Sequence, residues 1–243
     1  MTGVAEGDYV ACGPWQQRVN LPAAGLARFQ RPLPDPVTMI VEPPSCAVTA
    51  VHEYAVAPGD RVLVLGAGYM GLLNVQLLAH CPLAELVVTD VKAHNLEVAR
   101  QCGASEIILT STPAGEARLA ALRETPFDLV VEAAGVATTL AQAADFCRFG
   151  GKLGLFAWHH GERTVNFGTW HVKGLRVLNV SPPAGTDWHT NVFQRAIACL
   201  EAGVLDQGPL ITHRHPFTAV AEALATAVDR PEGYLKGVLT FED

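Results

Sequence analysis

From residue 61 onward the chain alternates between two hydrophobic rhythms. Short, nearly unbroken apolar runs occur at Arg61–Leu65, Glu85–Thr89, Glu106–Leu109, Phe127–Val131, Lys152–Ala157 and Leu175–Val180. Between them lie longer stretches patterned as helices: Tyr69–His80, His94–Cys102, one around Glu116–Arg123 and one around Thr138–Phe149. Gly103 closes the second helix and Gly150-Gly151 the fourth. Short continuous apolar runs suit strands buried on both faces. Strands alternating with helices predict βαβ units and a parallel sheet covered on both sides. Six such strands fit a doubly wound α/β sheet.

The flanks are less regular. Ser45–Val56 reads as a helix stopped by Pro58-Gly59-Asp60. Before it, Pro22, Pro32, Pro34 and Pro36 exclude a long helix, and Tyr9-Val10-Ala11 suits a short strand. After the sixth strand come a helix over Thr190–Ala202, the segment Pro209–Thr212, a helix around Ala219–Val228 and a closing strand Gly237–Phe241.

The first strand runs directly into Gly66-Ala67-Gly68-Tyr69-Met70-Gly71. In this G-x-G-x-x-G turn the first glycine permits the tight exit from the strand. The second lets the backbone approach a pyrophosphate, and the third lets the helix pack on the strand. Free N–H groups and the positive end of the helix dipole then favour phosphate. Asp90 ends the second strand at about the 20-residue spacing of the acid that holds a ribose. A carboxylate there accepts from the ribose hydroxyls and repels a 2′-phosphate, which selects NAD over NADP. Lys92 stands beside that ribose position. The reading is therefore a Rossmann dinucleotide-binding domain. A methyltransferase also uses a glycine turn and an acid after the second strand, but the G-x-G-x-x-G form, Pro58-Gly59-Asp60 and Gly150-Gly151-Lys152 argue against it.

Composition narrows the surroundings. The 243 residues are 49% hydrophobic and 17% charged, as in a globular domain with a sizeable core. The net charge of −7 offers no basic footprint for nucleic acid. No apolar run approaches the ~20 residues that span a bilayer, and the N-terminus lacks a signal-peptide pattern. Six scattered cysteines (Cys12, Cys46, Cys81, Cys102, Cys147, Cys199) without a CxxC pair read as reduced residues of a cytoplasmic protein.

Several segments together resemble the medium-chain dehydrogenase/reductase family. They are Pro58–Gly68, Asp90 with Ala99–Ala104, Phe127–Gly135, and Gly150-Gly151-Lys152-Leu153. Val41-Glu42-Pro43-Pro44-Ser45 looks most like its zinc-type polyol and threonine dehydrogenase branch. The resemblance implies three regions: 1–43, the remnant of an N-terminal GroES-like substrate domain; 44–202, the NAD-binding domain; and 203–243, returning to the substrate domain. It places Ala134 and Gly135 under the nicotinamide half of NAD. Phe156, Ala157, Asn179 and Ser181 would hold the carboxamide. Hydride transfer between an alcohol or polyol and its carbonyl is the implied reaction. A small-molecule alcohol or carbonyl is the implied partner, and a homodimer or homotetramer the implied assembly, formed near Leu175–Val180.

In this branch the N-terminal domain supplies a Cys and a His-Glu pair to a catalytic zinc. Here no histidine precedes Glu42. Glu42 is similar to the branch's metal-site glutamate and reads as a vestige of it, since one carboxylate cannot hold zinc alone. His159 and His160, after the fifth strand, are the candidates for general acid/base work, because imidazole exchanges protons near neutral pH. A loop-surface role is the plainer reading for both. His213-x-His215 on an extended segment would put two rings on one face. The expected activity is thus NAD-dependent oxidoreduction without a complete zinc site. A non-catalytic NAD(H)-binding module stays open beside it.

Overall fold

The computed structural model describes residues 4–11, 18–22, 26–180 and 188–241. Its contacts divide the chain into two compact units, Thr49–Ser181, and Met1–Val48 together with Pro182–Asp243.

In chain order the first unit receives α1 (Glu42–Tyr54), whose last turn lies within it. It continues with β3 (Arg61–Leu65), α2 (Tyr69–Ala79), β4 (Glu85–Asp90), α3 (Ala93–Gln101), β5 (Glu106–Leu109), α4 (Pro113–Ala121), β6 (Phe127–Glu132), α5 (Ala137–Phe146), β7 (Cys147–Leu155), α6 (Phe167–Val172) and β8 (Arg176–Asn179). Two short strands, β1 (Val10–Ala11) and β2 (Ala27–Arg28), precede them. The six strands form one parallel sheet in the order β5-β4-β3-β6-β7-β8. Strand order reverses between β3 and β6, so the glycine turn after β3 and the loop after β6 flank the crevice where open α/β sheets bind ligands. This is the doubly wound sheet that the strand–helix alternation predicts.

Burial follows the apolar runs. Leu63, Leu65, Val87, Val130 and Leu153 point to one face of the sheet and pack with Phe127 and Phe146. Helix α2 is apolar on nearly every side, and Tyr69 and Gly71–Leu78 are all buried. A helix without a polar face must be covered all round.

Three departures from the sequence reading have identifiable causes, two tertiary and one local. Helix α5 stops at Phe146, and β7 begins at Cys147 rather than Lys152. The Nζ of Lys173 donates to the carbonyls of Ala144, Asp145 and Cys147 at 2.8–2.9 Å, ending the helix from a distant segment. Strand β7 in turn ends at Leu155, because the N–H groups of Phe156 and Ala157 both donate to the Glu132 carbonyl at 3.0 Å. Helix α6 carries no prior signal; its start is capped by Asn166, whose Oδ1 accepts from Thr169 N at 3.1 Å.

The second unit pairs β1 with β2 antiparallel. Its C-terminal part contains α7 (Trp188–Glu201), β9 (Ile211–Pro216), α8 (Val220–Asp229) and β10 (Lys236–Thr240), with β9 and β10 parallel. The sequence reading takes residues 44–202 as the NAD-binding domain; by contacts the unit that holds the sheet covers Thr49–Ser181, and α7 falls in the other unit. Glu201 at its end accepts from Arg31 N at 2.8 Å, a contact that no local pattern encodes. Among the described residues no helix is long and apolar enough to cross a membrane.

Candidate functional site

At the mouth of β3, Gly66 has φ +105, a left-handed conformation that favours glycine. Its N–H donates to Thr89 O at 2.9 Å. A Cβ on Gly71 would stand 2.1 Å from the Gly66 carbonyl oxygen, so the helix can sit this close only with glycine there. Apart from its chain neighbours, no atom of the described residues lies within 4 Å of where a Cβ on Gly68 would stand. Gly68 is also the N-cap of α2 and makes no side-chain capping bond. A helix start of this kind, with no side chain capping it, favours an anionic ligand. Tyr69 is buried at the helix start, and Met70 is half-buried beside it.

Asp90 closes this end. Its Oδ2 accepts from Ala67 N at 2.7 Å, and its Oδ1 accepts from Lys92 N at 2.8 Å. The two bonds tie the glycine turn to the end of β4 and fix the carboxylate plane. Each oxygen keeps a lone pair for a further donor, such as a ribose hydroxyl. Lys92 itself is exposed.

The opposite end of the crevice is organised by a residue that the sequence reading passed over. Glu132, the last residue of β6, is fully buried. Its Oε1 accepts from Ala134 N at 3.1 Å, Gly135 N at 3.0 Å and Thr139 Oγ1 at 2.7 Å. Its Oε2 lies 2.7 Å from His159 Nε2. Its main-chain oxygen takes the Phe156 and Ala157 N–H groups already described. One residue thus gathers Ala134, Gly135, Phe156, Ala157 and His159. A charged residue ending an otherwise apolar buried strand was the available signal.

His159 is accordingly not a loose surface histidine. Its side chain is 13% exposed, and its Nδ1 is buried without a hydrogen-bond partner among the described residues. His160 is exposed, its ring stacked on Trp158 with centroids 5.6 Å apart. The structure therefore separates two adjacent histidines that the sequence left equivalent. Burial, and then the Glu132 charge, push the phenol of buried Tyr54 well above its ordinary value of 10.0. Asn179 is exposed at the end of edge strand β8, and Ser181 lies outside the described residues.

In the other unit Glu42 is exposed at the start of α1. The Cys46 thiol, one turn on, donates to Glu42 Oε1 at 3.4 Å. Burial, with the Glu42 charge, pushes that thiol up to about 12. Among the described residues no three His, Cys, Asp or Glu side chains group as metal ligands. His213 and His215 alternate with exposed Thr212 and Arg214 on β9.

A family model described as zinc-binding dehydrogenase matches residues 70–202, more than half of the chain. An L-threonine 3-dehydrogenase of Anaeromyxobacter is 28% identical over 205 residues, covering 84% of this chain and 58% of the relative. Sorbitol dehydrogenase of Ovis aries is 29% identical over 219 residues, covering 83% of this chain and 57% of the relative. A crystal structure from Escherichia coli, described as a short chain alcohol dehydrogenase complexed with NADH, superposes with a TM-score of 0.78 at 25% identity. It covers 91% of this chain and 64% of that one. This chain therefore spans less than two thirds of the length of these relatives. With the glycine turn, the six-stranded sheet and these matches together, the chain belongs to the zinc-binding dehydrogenase family.

Proposed function

We propose that this chain binds NAD(H) and serves hydride transfer between an alcohol or polyol and its carbonyl. The observation that carries the reading is the uncapped start of α2 under the open face of Gly68, with Asp90 fixed beside it. Gly66, Gly68, Tyr69, Met70 and Gly71 cradle the pyrophosphate, and Asp90 and Lys92 meet the adenosine ribose. Ala134, Gly135, Phe156, Ala157, Asn179 and Ser181 line the nicotinamide half. When bound, the nicotinamide supplies hydride acceptance or donation. NAD rather than NADP follows from the Asp90 carboxylate, which repels a 2′-phosphate. The threonine and sorbitol dehydrogenase relatives support a small alcohol carrying further polar groups as substrate.

The remaining assignments are of the same kind. The protein works in the cytoplasm as a homodimer or homotetramer, joined through β8, whose outer edge is unpaired in the sheet. Glu42 is a vestige of a metal site, and turnover does not depend on zinc held by this chain alone. His159, with His160 at the loop surface, serves proton exchange.

NADH fluorescence titration, followed by a panel of alcohols and aldehydes with and without chelator, tests the reading. NADH enhancement with chelator-resistant turnover is the expected result. Enhancement without any turnover identifies a non-catalytic NAD(H)-binding module instead. Binding of S-adenosylmethionine but not NADH overturns the cofactor assignment.

A further inference from the structure

The Glu132–His159 pair asks for more than a structural explanation. A carboxylate oxygen only accepts hydrogen bonds, so the 2.7 Å contact requires the proton on His159 Nε2. In the neutral ring that leaves Nδ1 as a lone pair, buried and without a protein partner among the described residues. A buried acceptor left without a donor is destabilising. Glu132 has no such gap: both its oxygens and its main-chain carbonyl are occupied. The partners of Glu132 are the segments assigned above to the nicotinamide end, so the orphaned nitrogen sits beside the reacting half of the site.

We infer that Glu132 is a positioning residue that holds His159 as the Nε2–H tautomer, so that Nδ1 accepts the hydroxyl proton of the bound alcohol. This rests on the NAD(H) reading and deepens it. As the alcohol is oxidised, its O–H bond breaks and a new N–H bond forms at Nδ1. The oxygen's electron pair becomes part of the carbonyl, and the carbon-bound hydride goes to NAD+. The positive charge on the ring is met by the Glu132 carboxylate on its other side. Nδ1 is covered in this structure, so contact with the alcohol requires the groups around His159 to shift. The carboxamide of the cofactor is the competing N–H donor, and the test separates the two.

The decisive measurement is the 15N imidazole spectrum of the full chain. The ligand-free protein is expected to show His159 as the Nε2–H tautomer; an Nδ1–H tautomer overturns the inference. Adding NADH alone should leave the Nδ1 resonance nearly in place. Adding NAD+ with trifluoroethanol, an alcohol that resists oxidation, should move it as the hydroxyl donates. A full shift with NADH alone assigns Nδ1 to the cofactor amide and overturns the substrate role. In turnover, His159→Gln should lower kcat by about 10²–10⁴-fold while the NADH Kd stays unchanged. Added imidazole should restore part of the loss in His159→Ala. An unchanged kcat in both variants also overturns the inference. NADH fluorescence on the same samples keeps the two readings apart. No NADH binding sinks the cofactor reading, whereas NADH binding with the Nδ1–H tautomer overturns the inference alone.

Discussion

The two ends of the sheet crevice each carry a carboxylate at the end of a parallel strand, and they use it differently. Asp90, ending β4, is half-buried and accepts two backbone N–H groups, one per oxygen. Glu132, ending β6, is fully buried and accepts four donors, from the loop after β6, from α5 and from the loop after β7. The first carboxylate retains capacity for a ligand. The second is saturated by protein and acts by arranging its neighbours. The difference teaches how to tell a ligand-facing acid from a positioning acid: count what is left unpaired, on the acid and on its partners.

The largest effect should come from breaking the saturated end. Glu132→Ala removes the acceptor of the Ala134 and Gly135 N–H groups and of the partly buried His159, while the Thr139 hydroxyl keeps only the Val136 carbonyl. A cost of about 3–5 kcal/mol in urea unfolding is expected. A loss below about 1 kcal/mol would mean that water replaces the carboxylate and that the network is not structural.

At the glycine turn, Gly71→Ala forces the Gly66 carbonyl away from a Cβ placed 2.1 Å from it. Backbone must move, so about 1–3 kcal/mol of stability should be lost, with weaker NADH binding. Unchanged NADH affinity by fluorescence would separate the turn from the cofactor site.

Asp90→Ala should reduce NADH affinity by about 10-fold, or about 1.4 kcal/mol, while changing NADPH affinity less. Parallel titrations with the two cofactors decide it; equal losses would show that Asp90 serves only to hold the turn.

The smallest effect concerns neither end. The bidentate Arg118 guanidinium, through its hydrogen bonds at 2.7 and 2.8 Å, holds the Glu106 carboxyl below its ordinary 4.5. A carboxyl lowered in the folded state adds stability that is complete above its ordinary value and is lost as pH falls through the lower folded value. Arg118→Ala should therefore cost less than about 1 kcal/mol at pH 7, the pair being partly exposed, and still less in acid. A cost that grows in acid would contradict the ion-pair account.

The glycine turn and Asp90 were readable in the chain because each depends on neighbours close in sequence or on a fixed spacing. The turn needs glycine where a Cβ would strike backbone, and the buried parallel strands need unbroken apolar runs. His159 and His160 were indistinguishable for the opposite reason. Which of them is buried depends on Glu132, which belongs to a different strand of the sheet. The end of α5 hid in the same way, since its carbonyls are satisfied by Lys173 from beyond the next strand.

By itself, the sequence determined the α/β class, the six strands and the phosphate-binding turn. Periodicity and glycine sterics are local properties, and a chain displays them without being folded. The tertiary structure alone decided where the sheet unit ends, which histidine is held, and by which carboxylate. Those outcomes are hydrogen bonds between distant segments, and only the parallel pairing of β6 with β7 brings their donors and acceptors within reach.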